Sequence, residues 1–331
     1  MSCIRYTHCG LAAAIVALAF GVAASASAQQ PLTLRIGHNT PVGTPTDVGV
    51  KRFAQLVAER SGGKIVIRDY PAGQIGNEQQ MIEGLQTGSI DMAGIIGATF
   101  GNVVPEYSVL GVLYVFRDPD HMRKVMSGPV GAEMAAALEK KSGIKVIDGA
   151  WYYGTRQLTS NRPVKTPADM VGMKIRVVPV PIFQASWAAV GATPTPVDFK
   201  ELFTALQTNA VDAQENPLAT TKGGGIHLVN KFLSLTDHTV ANVVIAMSGD
   251  TWKRLKPDQR ELITKAVHDA AAVNDAAAVK SEHDILAEFK AAGVTVIEPD
   301  KQAFREKVKD VPATFQNGVL LPLYKKIQDV K

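Results

Sequence analysis

A ten-residue phrase occurs twice in this chain. "GLQTGSIDMA" spans Gly84–Ala93 and "ALQTNAVDAQ" spans Ala205–Gln214, 121 positions apart. A duplication of that length narrows the choice to folds built from two related units. The first copy closes a run of alternating elements. "LTLRIG" (Leu32 to Gly37) alternates like a strand. "TPTDVGVKRFAQLVAERSGG" predicts a helix: Thr44 caps it, Pro45 opens it, Val50, Phe53, Ala54 and Val57 form its apolar stripe, and Gly62 stops it. "KIVIRDYP" is a strand, "NEQQMIEGLQTG" a short helix capped by Asn77, and "SIDMAGI" a third strand. The order β-α-β-α-β signals a parallel sheet covered by helices.

A similar order returns around the second copy. "GMKIRVVP" is a strand, "PIFQASWAAVG" a helix ending at Gly191, "DFKELFTALQTN" a helix, and "AVDAQEN" a strand running into a loop. "GGKIVIR" against "GMKIRVV" extends the match, and Asp91 aligns with Asp212. The expected fold is α/β, with two related lobes and a cleft between them. Ligands of open α/β sheets bind at the carboxyl ends of strands. Attention therefore falls on Asn39, on Ile96 to Thr99, and on Gln214 to Pro217.

"KPDQRELITKAVHDAAAVNDAAAVKSEHDILAEFKAAG" is a different element. It has Pro257 near its start, no internal glycine or proline, and Gly293 at its end. It predicts one helix of about 35 residues and about 50 Å, long enough to brace both lobes. "FREKVKDVPATFQNGVLLPLYKKIQ" closes the chain as further helices.

A length of 331 residues suits about two domains. A net charge of +4 gives no case for nucleic acid, which calls for a clustered basic face. The first 28 residues read as a secretory leader, with Arg5, the apolar run "LAAAIVALAFGVAA" and "ASA" at Ala26 to Ala28. Cleavage after Ala28 would start the mature chain at Gln29. The rival reading, a membrane anchor, calls for a span of about 20 apolar residues. Cys9 precedes the apolar run, so no lipobox follows it, and with Cys3 in the leader as well the mature chain holds no thiol.

The search for catalytic motifs is negative. There is no HExxH and no GxSxG, and "SGGK" lacks the rest of a phosphate-cradling loop. The six histidines after the leader show no metal-ligand spacing, so neither metal nor cofactor is expected. His268 and His283 fall on the long helix as solvated residues, and His238 in "LTDH" reads as structural. The arginines say more. Arg176 lies inside "KIRVV", an otherwise apolar strand, and a buried guanidinium needs an anionic partner. An internal salt bridge or a solvated edge would also account for it. Arg156, in "YYGTRQLTSN" after Trp151, Tyr152 and Tyr153, reads equally as a surface-loop residue. The planar fork of arginine suits a carboxylate.

The run "GTRQLTSNRPVKTPADMVGMKIRVVPVP", followed by "GATPTPVDFKELFTALQTNAVDAQENP", resembles the DctP family, the solute-binding proteins of tripartite ATP-independent periplasmic (TRAP) transporters. "AGQIGNEQQMIEGLQTGSIDMA", "LYVFRD" and "LSLTDH" resemble its other recurrent segments. The resemblance implies a periplasmic-binding-protein-like architecture: two α/β lobes, hinge strands, and the long helix across both. Lobe I would take residues 29–153 plus 242–281, lobe II residues 154–241 plus 282–308, and residues 309–331 would pack on them as a C-terminal helical segment. It implies a monomer that closes on an organic acid anion and delivers it to membrane permease subunits. Arg176 would grip the ligand carboxylate with both prongs, Arg156 would be a second arginine facing it, and Asn216 would donate to it. Phe199 would pack on the ligand body, and Asn39 and Glu78 would face it from the first lobe. The family's sialate-binding branch carries a carboxylate and an arginine where this chain has "AGIIGATF", with Ile96 and Thr99 instead. Glu78 would disfavour a second ligand carboxylate. The expected ligand is therefore a hydroxy or sugar monocarboxylate, with an aromatic acid as the alternative given Trp151, Tyr152 and Phe199. A receptor for a sensor kinase, or a secreted carboxylate-processing enzyme with Glu78 as base, are the rival functions.

Overall fold

The computed structural model describes residues 30–331, so the leader and its cleavage site lie outside the described residues. The first unit runs β1 (Leu32–His38), α1 (Pro45–Ser61), β2 (Ile65–Tyr70), α2 (Glu78–Thr87) and β3 (Met92–Ile96). Thr44 precedes α1 without a side-chain cap bond, and Gly62 ends it in the left-handed region. Asn77 and Gln80 close a reciprocal capping box on α2. Then come α3 (Pro119–Ser127), α4 (Pro129–Ser142) and a 17-residue strand, β4 (Ile144–Ser160). The second unit follows: β5 (Lys174–Val177), α5 (Pro181–Val190), β6 (Thr193–Pro196), α6 (Phe199–Gln207) and β7 (Ala213–Pro217). After α7 (Leu218–Gly223), a second 17-residue strand, β8 (Phe232–Ser248), runs back through the molecule. The chain ends with α8 (Gly249–Arg254), α9 (Pro257–Ala291), β9 (Thr295–Ile297), α10 (Lys301–Val308), α11 (Val311–Thr314) and α12 (Leu321–Asp329).

All the strands share one sheet, in the order β2-β1-β3-β8-β4-β7-β5-β6, with β9 beside β8. Each unit is parallel and places its first strand in the middle: β2-β1-β3 and β6-β5-β7. Within the sheet the two units are joined through β8 and β4, antiparallel to each other and to their outer neighbours. The sheet is therefore symmetric about the β8–β4 pair.

The repeated phrase is the mark of that symmetry. In both copies a helix ends in a left-handed residue, Gly88 (φ 74°) or Asn209 (φ 57°), the residue types that tolerate this region. Three positions later an aspartate accepts a backbone N–H from the central strand of its unit. Asp91 takes that of Arg35 at 3.0 Å, and Asp212 takes that of Lys174 at 2.9 Å. Each clamps the register one residue before the first ladder pair, Ile36↔Met92 and Ile175↔Ala213. This register corrects one expectation. "KIVIR" is the edge strand β2, whereas "KIRV" is β5, the counterpart of central β1, so those two segments are not equivalent.

The long helix α9 has 35 residues. Its first half buries Ile263, Ala266, Val267 and Ala270 with Val50, Phe53 and Val57 of α1. Its last turns bury Ile285 and Phe289 with Leu218 and Ala219 beyond β7. It thus braces both halves, as expected. Among the described residues, no helix is long and apolar enough to cross a membrane.

Candidate functional site

A small cavity lies between the two units, at the carboxyl ends of their strands. The first unit contributes Asn39, Glu78, Ile96 and Thr99, and the second contributes Arg176, Phe199 and Asn216. Glu78 and Phe199 occupy equivalent places, each opening the second helix of its unit. The preceding residues touch: Asn77 Nδ2 donates to Asp198 Oδ2 at 2.9 Å. Two further hydrogen bonds span the cleft, Asn102 to the Pro179 carbonyl at 3.3 Å and Lys200 to the Gly73 carbonyl at 2.5 Å. The cleft is closed in this structure.

Arg176 is 2% exposed. Its Nε donates to the Val197 carbonyl at 2.7 Å, and among the described residues its two terminal nitrogens have no protein acceptor. Burial, reinforced by the Arg156 charge and opposed by Glu215, lowers its pKa to about 10. An arginine so displaced is a cation short of an anion. Its counterpart by register in the first unit is Gly37, where an added Cβ would come within 2.6 Å of Ile75. The two units thus share a frame, but only the second carries a cation at this position.

Glu78, 8% exposed, faces Arg176 across the cavity. Ile96 N–H donates to its Oε1 at 3.0 Å and the Thr99 hydroxyl donates to Oε2. Burial raises its pKa, against these two hydrogen bonds and both arginines. Asn39, in the orientation that satisfies its amide, donates to the Gly76 carbonyl at 3.2 Å and accepts from Glu78 N–H at 3.1 Å. Asn216 Nδ2 donates to Gln214 Oε1 at 2.6 Å, and that amide in turn donates to Thr159 at 2.7 Å.

Arg156 is not a surface-loop residue. It lies in β4, fully buried, and its Nε and Nη2 fork onto the Glu215 carboxylate. Nη2 also reaches the Glu215 carbonyl at 2.7 Å, and only Nη1 lacks a partner. It lies outside the residues that line the cavity. Burial pushes the Glu215 carboxyl up, but the Arg156 charge and hydrogen bonds from His238 and Arg156 outweigh it and bring it down to about 2. His238 is structural, held between Glu215 at 3.0 Å and Thr236 at 2.7 Å. His268 on α9 is more than a solvated residue: its Nδ1 lies 2.6 Å from Asp148, whose hydrogen bond raises its pKa.

Trp151 is elsewhere. Its indole packs under α1 and α9, close enough to Gly49 that a Cβ there would meet it at 2.6 Å. The aromatic residue of "WYY" that reaches the cavity is Tyr153, whose hydroxyl accepts from Thr220 at 2.9 Å. Reasoning from sequence singled out neither Tyr153 nor Thr220 for the site. The clue was available for Thr220, since it lies three residues beyond the strand that carries "ENP".

Residues 36–317 match the DctP family, described as bacterial extracellular solute-binding protein, family 7. The chain belongs to this family. The sialic acid-binding periplasmic protein SiaP of Vibrio cholerae is 32% identical over 92% of this chain and 95% of its own. A TRAP periplasmic solute-binding protein from Polaromonas, bound to D-erythronate, matches with a TM-score of 0.86 at 29% identity, covering 91% of this chain and 99% of that one. Another from Bradyrhizobium, in complex with D-galacturonate, matches with a TM-score of 0.85 at 34% identity over 90% and 99%. DctP proteins are periplasmic solute receptors of TRAP transporters, and the fold of this chain is theirs.

Proposed function

We propose that this DctP protein captures a hydroxylated monocarboxylate, a sugar acid in particular, in the periplasm and delivers it to the membrane permease subunits of a TRAP transporter. The observation that carries this reading is Arg176: a guanidinium 2% exposed, with one protein hydrogen bond, at a closed cavity. A carboxylate would take its two free nitrogens as a bidentate pair. Asn216 spends one amide hydrogen on Gln214 and has a second to donate. Arg156, outside the cavity lining, would add its charge. Phe199 would cover the ligand body. On the opposite wall, Glu78, Asn39 and Thr99 suit hydroxyl groups. A buried carboxylate there repels a second ligand carboxylate, which favours a monocarboxylate. Among the ligands named for the relatives, sialic acid, D-erythronate and D-galacturonate are hydroxylated monocarboxylic acids, while succinate is a dicarboxylate. The lobes would be residues 29–153 plus 242–281 and residues 154–241 plus 282–308, with 309–331 packed on them.

The experiment is a thermal-shift screen of sugar acids, their neutral reduced sugars and succinate, followed by calorimetry on the hits. A true ligand at 100 times its Kd adds about 2.7 kcal/mol of stability. Sugar acids should stabilise, and the neutral sugars should not. A dicarboxylate that outcompetes every sugar acid would overturn the monocarboxylate reading.

A further inference from the structure

The spacing of the histidines in the sequence gives no metal pattern, but folding gathers one histidine with two distant aspartates. His38 ends β1, Asp69 lies near the end of β2, and Asp47 sits in the first turn of α1. His38 Nε2 is 3.3 Å from Asp69 Oδ1 and 3.9 Å from Asp47 Oδ1. The three atoms all lie within 4.8 Å of one another. His38 and Asp47 are fully buried, and Asp69 is 15% exposed on its side chain. None of the three atoms has a hydrogen-bond partner. The Asp47 contact is too long for a hydrogen bond, and the Asp69 contact, though within range, is not one.

We propose that His38, Asp47 and Asp69 bind a first-row divalent cation, Zn²⁺ above all. In a tetrahedral zinc site, bonds of about 2.0–2.2 Å put neighbouring ligand atoms roughly 3.4 Å apart; His38 and Asp69 already stand at 3.3 Å, and Asp47, at 3.9 Å from His38, would draw in on binding. The ligand set of one imidazole and two carboxylates leaves the fourth position for water. The opposite ring nitrogen is already engaged: His38 Nδ1 and Thr40 Oγ1 are 2.6 Å apart. The Thr40 hydroxyl can accept from Nδ1–H, the tautomer that leaves an Nε2 lone pair facing the carboxylates, and such a second partner is usual for a metal-bound imidazole. Without a cation, this tautomer sets a lone pair against two buried carboxylate oxygens. Asp47 has spent its other oxygen on Gly43 N–H and on Lys51, both at 2.7 Å. The Lys51 charge and the positive end of α1 oppose a cation. Lys51 is half exposed and touches only the far oxygen, so it can turn outward. The two carboxylates outweigh these terms for a doubly charged ion in a buried setting. The path in passes Asp69. A bound ion would tie the ends of β1 and β2 to the first turn of α1, one residue from Asn39 in the cleft wall.

The test uses protein purified without an affinity tag, stripped with a chelator, with no organic acid present, so it is independent of the ligand reading. Zn²⁺ is titrated by calorimetry with thermal shift. Co²⁺ is followed by its visible absorption, which reports coordination directly. One equivalent should bind, raise the melting temperature and give a Co²⁺ spectrum of low coordination number, with Mg²⁺ ineffective. Loss of the hydrogen bond that orients a metal-bound imidazole typically costs 10- to 100-fold in affinity, so Thr40→Val should weaken binding about tenfold and Asp69→Asn, which removes a ligand charge, at least tenfold. His38→Gln tests the nitrogen ligand, with circular dichroism confirming that each variant is folded. Absence of saturable Zn²⁺ binding overturns the proposal. So does unchanged binding in folded Asp69→Asn. So does a nitrogen-15 spectrum with His38 doubly protonated and insensitive to Zn²⁺, which would make the cluster an imidazolium held by two carboxylates.

Discussion

At the residue scale, the decisive contrast is between two buried arginines 20 positions apart in the sequence. Arg156 has its carboxylate built in, and Arg176 does not. Removing Arg176 should therefore cost ligand binding rather than folding. Arg176→Ala should weaken the acid by roughly 3 kcal/mol, about a hundredfold or more, because the ligand charge would be left buried and unpaired. Arg176→Lys keeps the charge without the fork and should fall between. Calorimetry on the folded variants checks both, and wild-type affinity in Arg176→Ala would place the carboxylate elsewhere. The Arg156–Glu215 pair should behave in the opposite way. Glu215→Gln strands a fully buried guanidinium and should destabilise the fold by about 3–5 kcal/mol in urea unfolding. The pair also has a pH signature. The folded pKa of Glu215 lies below its ordinary 4.5, at about 2, so its stabilising contribution is complete above 4.5 and is lost as pH falls towards 2. The acid limb of stability should therefore be shallower in Glu215→Gln over that window, and an unchanged limb would mean the pair is not what holds Glu215 ionised.

At the element scale, the two α/β units were legible because their signals are local. A left-handed Gly88 or Asn209 and the aspartate three residues on are written in the sequence, and the fold uses both copies alike. Asp91→Ala and Asp212→Ala should each cost about 1.5–3 kcal/mol, the worth of hydrogen bonds to a charged group, by loosening a central strand at its first ladder pair. Gly88→Ala should cost about 1 kcal/mol through its positive φ. If both aspartate variants unfold at the wild-type urea midpoint, the repeat is ancestry without mechanical role. The long strands β4 and β8 were not legible. β4 carries Asp148, Arg156, Gln157, Thr159 and Ser160, all buried, so neither alternation nor a continuous apolar run marks it. The most buried of those polar groups pair with residues far away in the chain, such as Glu215 for Arg156 and Asp237 for Gln157, and no window of sequence contains such pairs. The same blindness misplaced Trp151. It stands two residues, about 7 Å along the strand, from Tyr153, and composition alone cannot say which of them meets the helices and which the cavity. "KIVIR" and "KIRVV" read alike for a related reason: an edge strand and a central one can share a pattern, and only pairing tells them apart.

At the scale of the whole molecule, the two units are tied by β4 and β8, and both strands are irregular where they cross. Their register breaks between Tyr152 and Gly154 and again between Arg156 and Leu158. Gly154 has φ of 127°, and a Cβ there would meet Pro217 at 2.7 Å, so this bend admits little but glycine. Such breaks are where a sheet can flex without losing its ladder. The far side of the cleft is held by little: the Asn77–Asp198 bond, Asn102 on Pro179 and Lys200 on Gly73. Three hydrogen bonds, none fully buried and each worth about 0.5–3 kcal/mol net, cannot hold two such bodies shut by themselves. The ligand must supply the rest, by contacts it makes with both walls only when they are closed. Small-angle scattering should therefore give a smaller radius of gyration with ligand than without. The latch should also register in affinity without touching the ligand. If only a fraction of the free protein is closed, the apparent Kd is the intrinsic one divided by that fraction. Asn77→Ala removes a closed-state bond and leaves Arg176, Asn216 and Phe199 in place; it also removes the α2 cap, a cost read separately as lost stability in urea unfolding. It should weaken binding by about 10-fold or more, because the lost bond is to a carboxylate and worth about 1.5–3 kcal/mol. The loss should appear as faster dissociation in stopped-flow measurements, because it acts on a state reached after encounter. Equal affinity in Asn77→Ala and wild type, together with scattering curves that do not respond to ligand, would mean that the closed form is the resting state and that binding selects nothing.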